Sequence, residues 1–370
     1  MKRTICICGG GALGHVIAGF LSGKGFKVNL LTSRPQEWNS QIVIHTIDNK
    51  KIVGKFEKIS HLSENVIPNA DIILLCLPGY LISATLRKIK NDISPKAVIG
   101  SVISSTGFFI MAQKILGKAN VHFGFQRVPF IARVENYGKS ALLLGYKQHL
   151  NIGIQNMPSL QAQKEFALSL QEAFDTPVSI LDNVLECTLT NSNPILHPSR
   201  LYALFSDWNE GKIYKERKFF YKDWDINSSN ILINCDNEFQ SMISKLPINM
   251  KAIPPLLEYY ESVDAESLMN KIRSIKAFQT IKAPYKEKEG GVIPDFADRY
   301  FTEDIPYGLV LIRYIASLLD VATPHIDQII TWAQSFMQLD LMNGNQLNGG
   351  DIPKVECIDE CAIKDLLNTM

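Results

Sequence analysis

The first half of the chain is a series of short, uninterrupted apolar runs separated by glycine, proline and polar turns. Thr4–Cys8, Asp71–Leu77 and Ala97–Ile103 lack the polar alternation of a half-exposed strand, and Lys27–Thr32 predicts the second strand of the series. Such runs predict strands buried on both faces, as in a parallel sheet. Between them, Gly14–Lys24 and Leu81–Ile89 have helical spacing, so strands and helices alternate as in a doubly wound α/β domain. Gln41–Thr46 and Lys51–Phe56 flank Asp48-Asn49 and predict a hairpin or paired edge strands, and Asn120–Phe125 and Ala141–Tyr146 predict later strands. From about Gln161 the period changes: Phe166, Leu170 and Phe174 form one face of a helix over Gln161–Phe174. Beyond Asn191 the pattern predicts helix or loop almost throughout. Ser262–Phe278 and Pro306–Leu319 read as helices, the latter with Leu309, Ile312, Ala316 and Leu319 on one stripe. Thr323-Pro324 opens another, with Thr323 as N-cap. The change of texture lies between Asp175 and Asn191, giving an α/β domain over 1–182 and an all-helical one over 183–370.

Composition narrows the picture by exclusion. A chain of 370 residues can bury two cores, and a net charge of +1 suggests neither a basic nucleic-acid-binding face nor an acidic tail. No apolar run approaches the ~20 residues of a bilayer span. The first strand begins at once, without a signal peptide, so a cytoplasmic protein is expected, with no membrane and no nucleic acid among its partners. Of seven cysteines, Cys6, Cys8 and Cys76 fall in predicted strands; Cys357 and Cys361 lack further ligands at zinc-site spacing. Buried, reduced thiols and no metal are expected.

The chemistry begins at Gly9-Gly10-Gly11-Ala12-Leu13-Gly14, a G-x-G-x-x-G at a strand-to-helix turn. Gly9 suits the tight turn, Gly11 a close backbone approach to a pyrophosphate, and Gly14 close helix–strand packing; the helix N-terminus then faces the phosphates. The turn predicts a dinucleotide site made by Gly9, Gly11, Ala12, Leu13 and Gly14, with Pro78 at the end of a neighbouring strand. An NAD site usually carries an acid at the end of the second strand, to hold the ribose 2′-OH. Here Thr32-Ser33-Arg34-Pro35 follows that strand, with no carboxylate before Glu37. Ser33 and Arg34 suit a 2′-phosphate, which favours NADP(H) over NAD(H); Arg34 could equally be a solvated loop residue. His15 lies over the cofactor or simply on a helix face.

Two polar stretches stand out in the second half: Asn191-Ser192-Asn193-Pro194-Ile195-Leu196-His197-Pro198, and Pro294-Asp295-Phe296-Ala297-Asp298-Arg299-Tyr300-Phe301-Thr302-Glu303-Asp304-Ile305-Pro306-Tyr307-Gly308-Leu309. With the glycine turn, their N-x-N-P-x-x-H-P and R-Y-x-x-E-D-x-P-x-G-L patterns resemble the octopine/nopaline dehydrogenase family of opine dehydrogenases, in the same order and over nearly the whole chain. The resemblance implies a Rossmann domain followed by an all-helical domain of 6-phosphogluconate dehydrogenase C-terminal type, with substrates between them. It implies NAD(P)H-dependent reductive condensation of an amino acid with a 2-oxo acid. His197 and Asp304 would be the catalytic pair and Arg299 the anchor for the oxo-acid carboxylate, with Asn193 and Gln126 as further substrate contacts. Gln126 and Arg133 belong to a looser match, Gln126–Arg133, followed by Tyr137-Gly138.

The residue chemistry is compatible with these roles. A histidine can give and take a proton near neutral pH, a carboxylate on its far nitrogen fixes the tautomer, and a guanidinium grips a carboxylate bidentately. Blander readings stand beside them: a structural His197, an Asp304 that complements a helix dipole, or an Arg299 paired with Asp295 or Glu303. Two other functions remain open. A reductase of the ketopantoate type would use a lysine, which Asn191–Pro198 lacks; a non-catalytic NADP(H) sensor would need no proton shuttle. Lys222, Trp224 and Asp225 lie in an aromatic stretch that could contribute to selectivity. The oligomeric state is left open, a homodimer being one option.

Overall fold

The computed structural model describes residues 3–368 and divides into two units, Met1–Thr188 with Asp359–Met370, and Leu189–Ile358. In the first unit the strands are β1 (Thr4–Cys8), β2 (Lys27–Leu31), β3 (Gln41–Thr46), β4 (Lys51–Lys55), β5 (Lys58–Ser60), β6 (Ile72–Leu75), β7 (Val98–Ser101), β8 (Val121–Phe125), β9 (Phe130–Asn136), β10 (Ser140–Tyr146), β11 (Leu150–Gln155) and β12 (Val178–Ile180). Its helices are α1 (Ala12–Gly23), α2 (Gly79–Ile89), α3 (Phe108–Leu116), α4 (Leu160–Phe174) and α5 (Leu185–Thr188). The main sheet runs β12-β11-β8-β7-β6-β1-β2-β5, parallel except for the antiparallel β8–β11 pair. β1 is central, flanked by β2 and β6, so the strand order reverses there. Open α/β sheets bind ligands at such a switch point.

A second, four-stranded sheet, β4-β3-β10-β9, was not foreseen as a separate layer. β3 and β4 form the expected antiparallel hairpin, but β10 joins β3 rather than the main sheet. This sheet packs on the side of α1 away from β1 and β2. Gly14 to Leu21 are consequently buried without a break. A helix covered on every side loses the amphipathic stripe of a surface helix, which is why α1 is apolar nearly all round.

The second unit is helical: α6 (Asn193–Phe205), α7 (Ile226–Ser244), α8 (Leu256–Tyr259), α9 (Ala265–Ser274), then α10 (Arg299–Thr302), α11 (Val310–Leu318) and α12 (Pro324–Met337). One antiparallel hairpin interrupts it, β13 (Tyr285–Lys288) with β14 (Gly291–Pro294), so it is not helical throughout. The helix expected over Ser262–Phe278 is shorter. Asp264 and Ser267 form a capping box that starts it at Ala265, and Ile275 is extended at its end. Pro306–Leu319 is not one regular helix either, because Ile305–Leu309 forms a π turn before α11. Thr323 does occupy the N-cap of α12, but its hydroxyl bonds the Asp327 carboxylate instead of a backbone N–H.

The expected boundaries, 1–182 and 183–370, also change. The first unit extends through α5 to Thr188, and the chain returns to it at the end. There α13 (Glu360–Asn368) packs on α3, and Lys114 pairs with Asp359 at 2.9 Å. Cys6, Cys8, Cys76, Cys187, Cys235 and Cys357 are buried and free, whereas Cys361 is exposed, against the expectation that all would be inside. Among the described residues no helix is long and apolar enough to cross a membrane.

Candidate active site

At the glycine turn each residue has the environment its chemistry requires. Gly9 has φ of +119°, and a Cβ on Gly14 would lie 2.0 Å from the Gly9 carbonyl oxygen, so neither position tolerates a side chain. Around Gly11 the space a Cβ would occupy is open. Gly11 caps α1 with no side-chain bond, and the first turn holds no acid, which leaves its N–H groups available to an anion. Pro78 caps α2 at the end of the adjacent β6 segment, where the Leu77 side chain closes on Gly9. These residues fit a dinucleotide pyrophosphate.

His15 is not a ligand-facing group. It is wholly buried, with Nδ1–H donating to the Gly11 carbonyl at 2.9 Å and Nε2 accepting from the Gly138 N–H at 2.8 Å. Burial is the main cause of its lowered pKa, which keeps it neutral for those two bonds. It ties the β9–β10 hairpin to the glycine turn and lies against Trp38 and Tyr137. Tyr137 in turn is the platform for Arg34, whose guanidinium sits 3.9 Å above its ring and bonds Glu37 at 3.2 Å. Ser33 and Arg34 are both exposed at the end of β2.

In the second unit His197 lies on α6 and Asp304 at the start of the π turn, 107 positions apart in sequence and 2.8 Å apart in space. The π turn reaches α6 because Gly308 has no side chain; a Cβ there would stand 2.9 Å from Pro194. The Asp304 carboxylate makes no cap bond to its own turn. It accepts from His197 Nδ1–H, so the helix-dipole reading does not describe where its oxygen is spent. With Nδ1 protonated, Nε2 is the acceptor in neutral His197, and it accepts the Tyr221 hydroxyl at 2.8 Å. All three residues are buried. Burial, with Tyr300, Tyr260 and Asp304 adding to it, holds the Tyr221 phenol well above the usual tyrosine range, so it keeps its proton. Tyr300 lies against the imidazole at 4.2 Å between ring centres.

Arg299 is exposed, with its guanidinium 5.1 Å from the Tyr300 ring. It forms no ion pair with Asp295 or Glu303 among the described residues, so its charge is not consumed in the way the surface alternative required. The structure thus brings His197, Asp304 and Arg299 together through Tyr300. Asn193 does not join them: it is exposed at the first turn of α6. The buried amide of the motif is Asn191, which bonds Asp236 at 2.9 Å and the Pro254 carbonyl. Gln126 is buried in the first unit, its amide donating to the Glu186 carbonyl and accepting from Asn151. Arg133 bonds the carbonyl of Ala132. Trp224 is fully buried, Asp225 caps α7, and Lys222 lies over the Phe219 ring, so all three shape the loop that precedes α7. Tyr221, in that same loop, was missed; the aromatic run Phe219-Phe220-Tyr221 was its only local signal.

A Rossmann turn that fits a dinucleotide and a helical unit with an acid-backed histidine define an NAD(P)-dependent oxidoreductase. Comparison with known proteins agrees. Residues 180–337 match the family described as NAD/NADP octopine/nopaline dehydrogenase, alpha-helical domain, and residues 5–136 match ketopantoate reductase PanE/ApbA. Octopine dehydrogenase from Pecten maximus is 26% identical over 96% of both chains. Tauropine dehydrogenase from Arabella iricolor is 27% identical over 94% of this chain and 95% of its own. A solved octopine dehydrogenase in complex with NADH and agmatine has the same fold, with a TM-score of 0.85 at 24% identity over 96% of this chain and 94% of that one. The chain is thus similar to opine dehydrogenases over nearly its whole length, with its helical half matching the octopine/nopaline dehydrogenase helical domain.

Proposed function

We propose that the protein is an opine-type dehydrogenase, which condenses the amine of an amino acid with a 2-oxo acid and reduces the resulting imine, reversibly. The observation that carries this reading is the buried Asp304–His197 pair beside the guanidinium of Arg299, which forms no ion pair among the described residues. Burying an ionisable pair costs desolvation that packing alone does not require, and an exposed arginine next to it suits a substrate carboxylate. The nicotinamide, when bound, supplies or accepts the hydride. His197 takes the proton from the substrate ammonium, which frees the amine to attack, and returns a proton to the departing oxygen. Asp304 holds Nδ1–H and so keeps Nε2 turned to that task. Arg299 binds the oxo-acid carboxylate through paired N–H groups.

For the cofactor we propose NADP(H) over NAD(H). Arg34, poised on the face of Tyr137, and Ser33 stand where an NAD site carries an acid. The ketopantoate-reductase alternative would rely on a lysine, which Asn191–Pro198 lacks, and a sensor would not need the acid–histidine pair.

The test is NADPH oxidation by the purified chain with a grid of 2-oxo acids, each with and without amino acids, starting from pyruvate with L-arginine. Oxidation that needs both partners is expected. Oxidation with the oxo acid alone would overturn the reading. His197→Ala should lower turnover by about 10²–10⁴-fold while NADPH binds as before.

A further inference from the structure

We propose that Tyr221 is the third member of a proton relay, passing the proton between His197 and the reacting oxygen or nitrogen of the substrate. The inference rests on the dehydrogenase reading above and goes beyond the acid–histidine pair. Asp304 occupies Nδ1, so Nε2 is the ring nitrogen left for the reaction, and the Tyr221 hydroxyl covers it at 2.8 Å. His197 is 3% and Tyr221 5% exposed. A substrate therefore reaches the imidazole either by displacing the phenol or through it.

Displacement is disfavoured by how the phenol is held. Its ring stacks on Phe278 with 4.2 Å between centres and lies parallel to Trp224. The loop that carries it is clamped by Arg200, a fully buried arginine one helical turn beyond His197 on α6. Arg200 donates from Nε to the Phe220 carbonyl at 2.9 Å and from Nη2 to the Asp223 carbonyl at 2.6 Å. Nη1 bonds Asp225 and Ser228 at the start of α7. One helix thus fixes both the base and the backbone on either side of the phenol. A group so anchored acts as a conduit, not a gate.

The step conserves atoms and charge. In imine formation the Nε2–H bond of the imidazolium breaks as a new O–H bond forms on the Tyr221 oxygen. The original phenol proton passes to the substrate hydroxyl, whose C–O bond breaks with its electron pair, and water departs. Tyr221 ends unchanged, and Nδ1–H stays on Asp304 throughout. The same path run backwards removes a proton from the substrate ammonium.

Tyr221→Phe keeps the ring and its stacking and removes only the hydroxyl. With NADPH, pyruvate and L-arginine, or the pair the grid identifies, single-turnover oxidation should slow about a hundredfold while KM values stay near those of the parent. In mixtures of light and heavy water the parent rate should fall along a curve, because two protons move together, and the variant along a straight line. A parent plot that is straight or shows no isotope effect overturns the relay, and this measurement does not depend on how the variant folds. So does a variant whose rate is unchanged or whose loss lies in KM alone, since that is the behaviour of a displaced or merely structural phenol. The partner grid and His197→Ala separate the two claims. Oxidation with the oxo acid alone sinks the dehydrogenase reading itself; turnover that needs both partners, is lost in His197→Ala and stays intact in Tyr221→Phe sinks only the relay.

Discussion

Arg34 carries the proposed preference for a 2′-phosphate, and its surroundings say how. The guanidinium is stacked on Tyr137, a residue delivered by the β9–β10 hairpin, so its position is partly set before a ligand arrives. Charge-assisted bonds to a phosphate contribute roughly 1.5–3 kcal/mol. Arg34→Ala should therefore raise the dissociation constant for NADPH about 10- to 100-fold and leave NADH nearly unchanged, as titrated by cofactor fluorescence. Equal weakening would place the phosphate elsewhere. At this scale the sequence was informative wherever chemistry is local. The glycines are contiguous between β1 and α1, Ser33 and Arg34 are neighbours at the end of β2, and the R-Y-x-x-E-D pattern pointed to Asp304. It failed for Asn193 and Asn191, two neighbours of the same type, because burial alone decides which of them is tied to Asp236.

The π turn over Ile305–Leu309 is the element on which the proposed catalytic geometry depends. It widens the helix by one residue, visible in the bond from the Leu309 N–H to the Asp304 carbonyl at 2.8 Å, and it abuts α6 through Gly308. π turns recur at functional sites because they turn a side chain away from its regular helical position. Gly308→Ala forces a methyl against Pro194, which should cost about 1–3 kcal/mol of stability. The displaced Asp304 should slow turnover by about a hundredfold, as measured by kcat alongside thermal melting. A variant that melts lower yet turns over normally would show that the π turn serves packing alone. The apolar stripe of Pro306–Leu319 did predict the helix, but hydrophobic spacing over so short a segment cannot distinguish a π turn from an α turn. For Ser262–Phe278 the error was at the ends, where the Asp264–Ser267 capping box outweighs the periodicity.

At the scale of the whole molecule, acid stability exposes a cost of the first unit's core. His122, buried on β8, has its pKa lowered to about 4, mainly by burial, with Gln155 opposing. The unfolded chain takes up a proton near pH 6.5 that the folded unit refuses until about pH 4. Stability is therefore complete above the unfolded value and falls as pH drops from it, by up to about 3 kcal/mol. His122→Gln, which cannot take the proton, should flatten this part of the urea-unfolding profile between neutral and acid pH. An unchanged slope would mean that the imidazole is solvated. The same scale held the surprises in architecture. The second sheet around α1 and the return of α13 to α3 join segments far apart in the chain, and neither leaves a mark in any single stretch.

The sequence by itself determined the strand-to-helix turn that fits a dinucleotide, the buried parallel strands, the helical second half, and the histidine, aspartate and arginine on which the proposed chemistry centres. Each of these is written in contiguous residues, where local sterics, hydrophobic period and side-chain type suffice. Only the tertiary structure decided that Asp304 meets His197 across 107 positions, that Tyr221 covers the remaining nitrogen, and that Arg200 clamps the loop carrying it. Those bonds depend on how α6, the loop before α7 and the π turn pack together. Packing is set by the summed burial of the whole unit, not by any one segment.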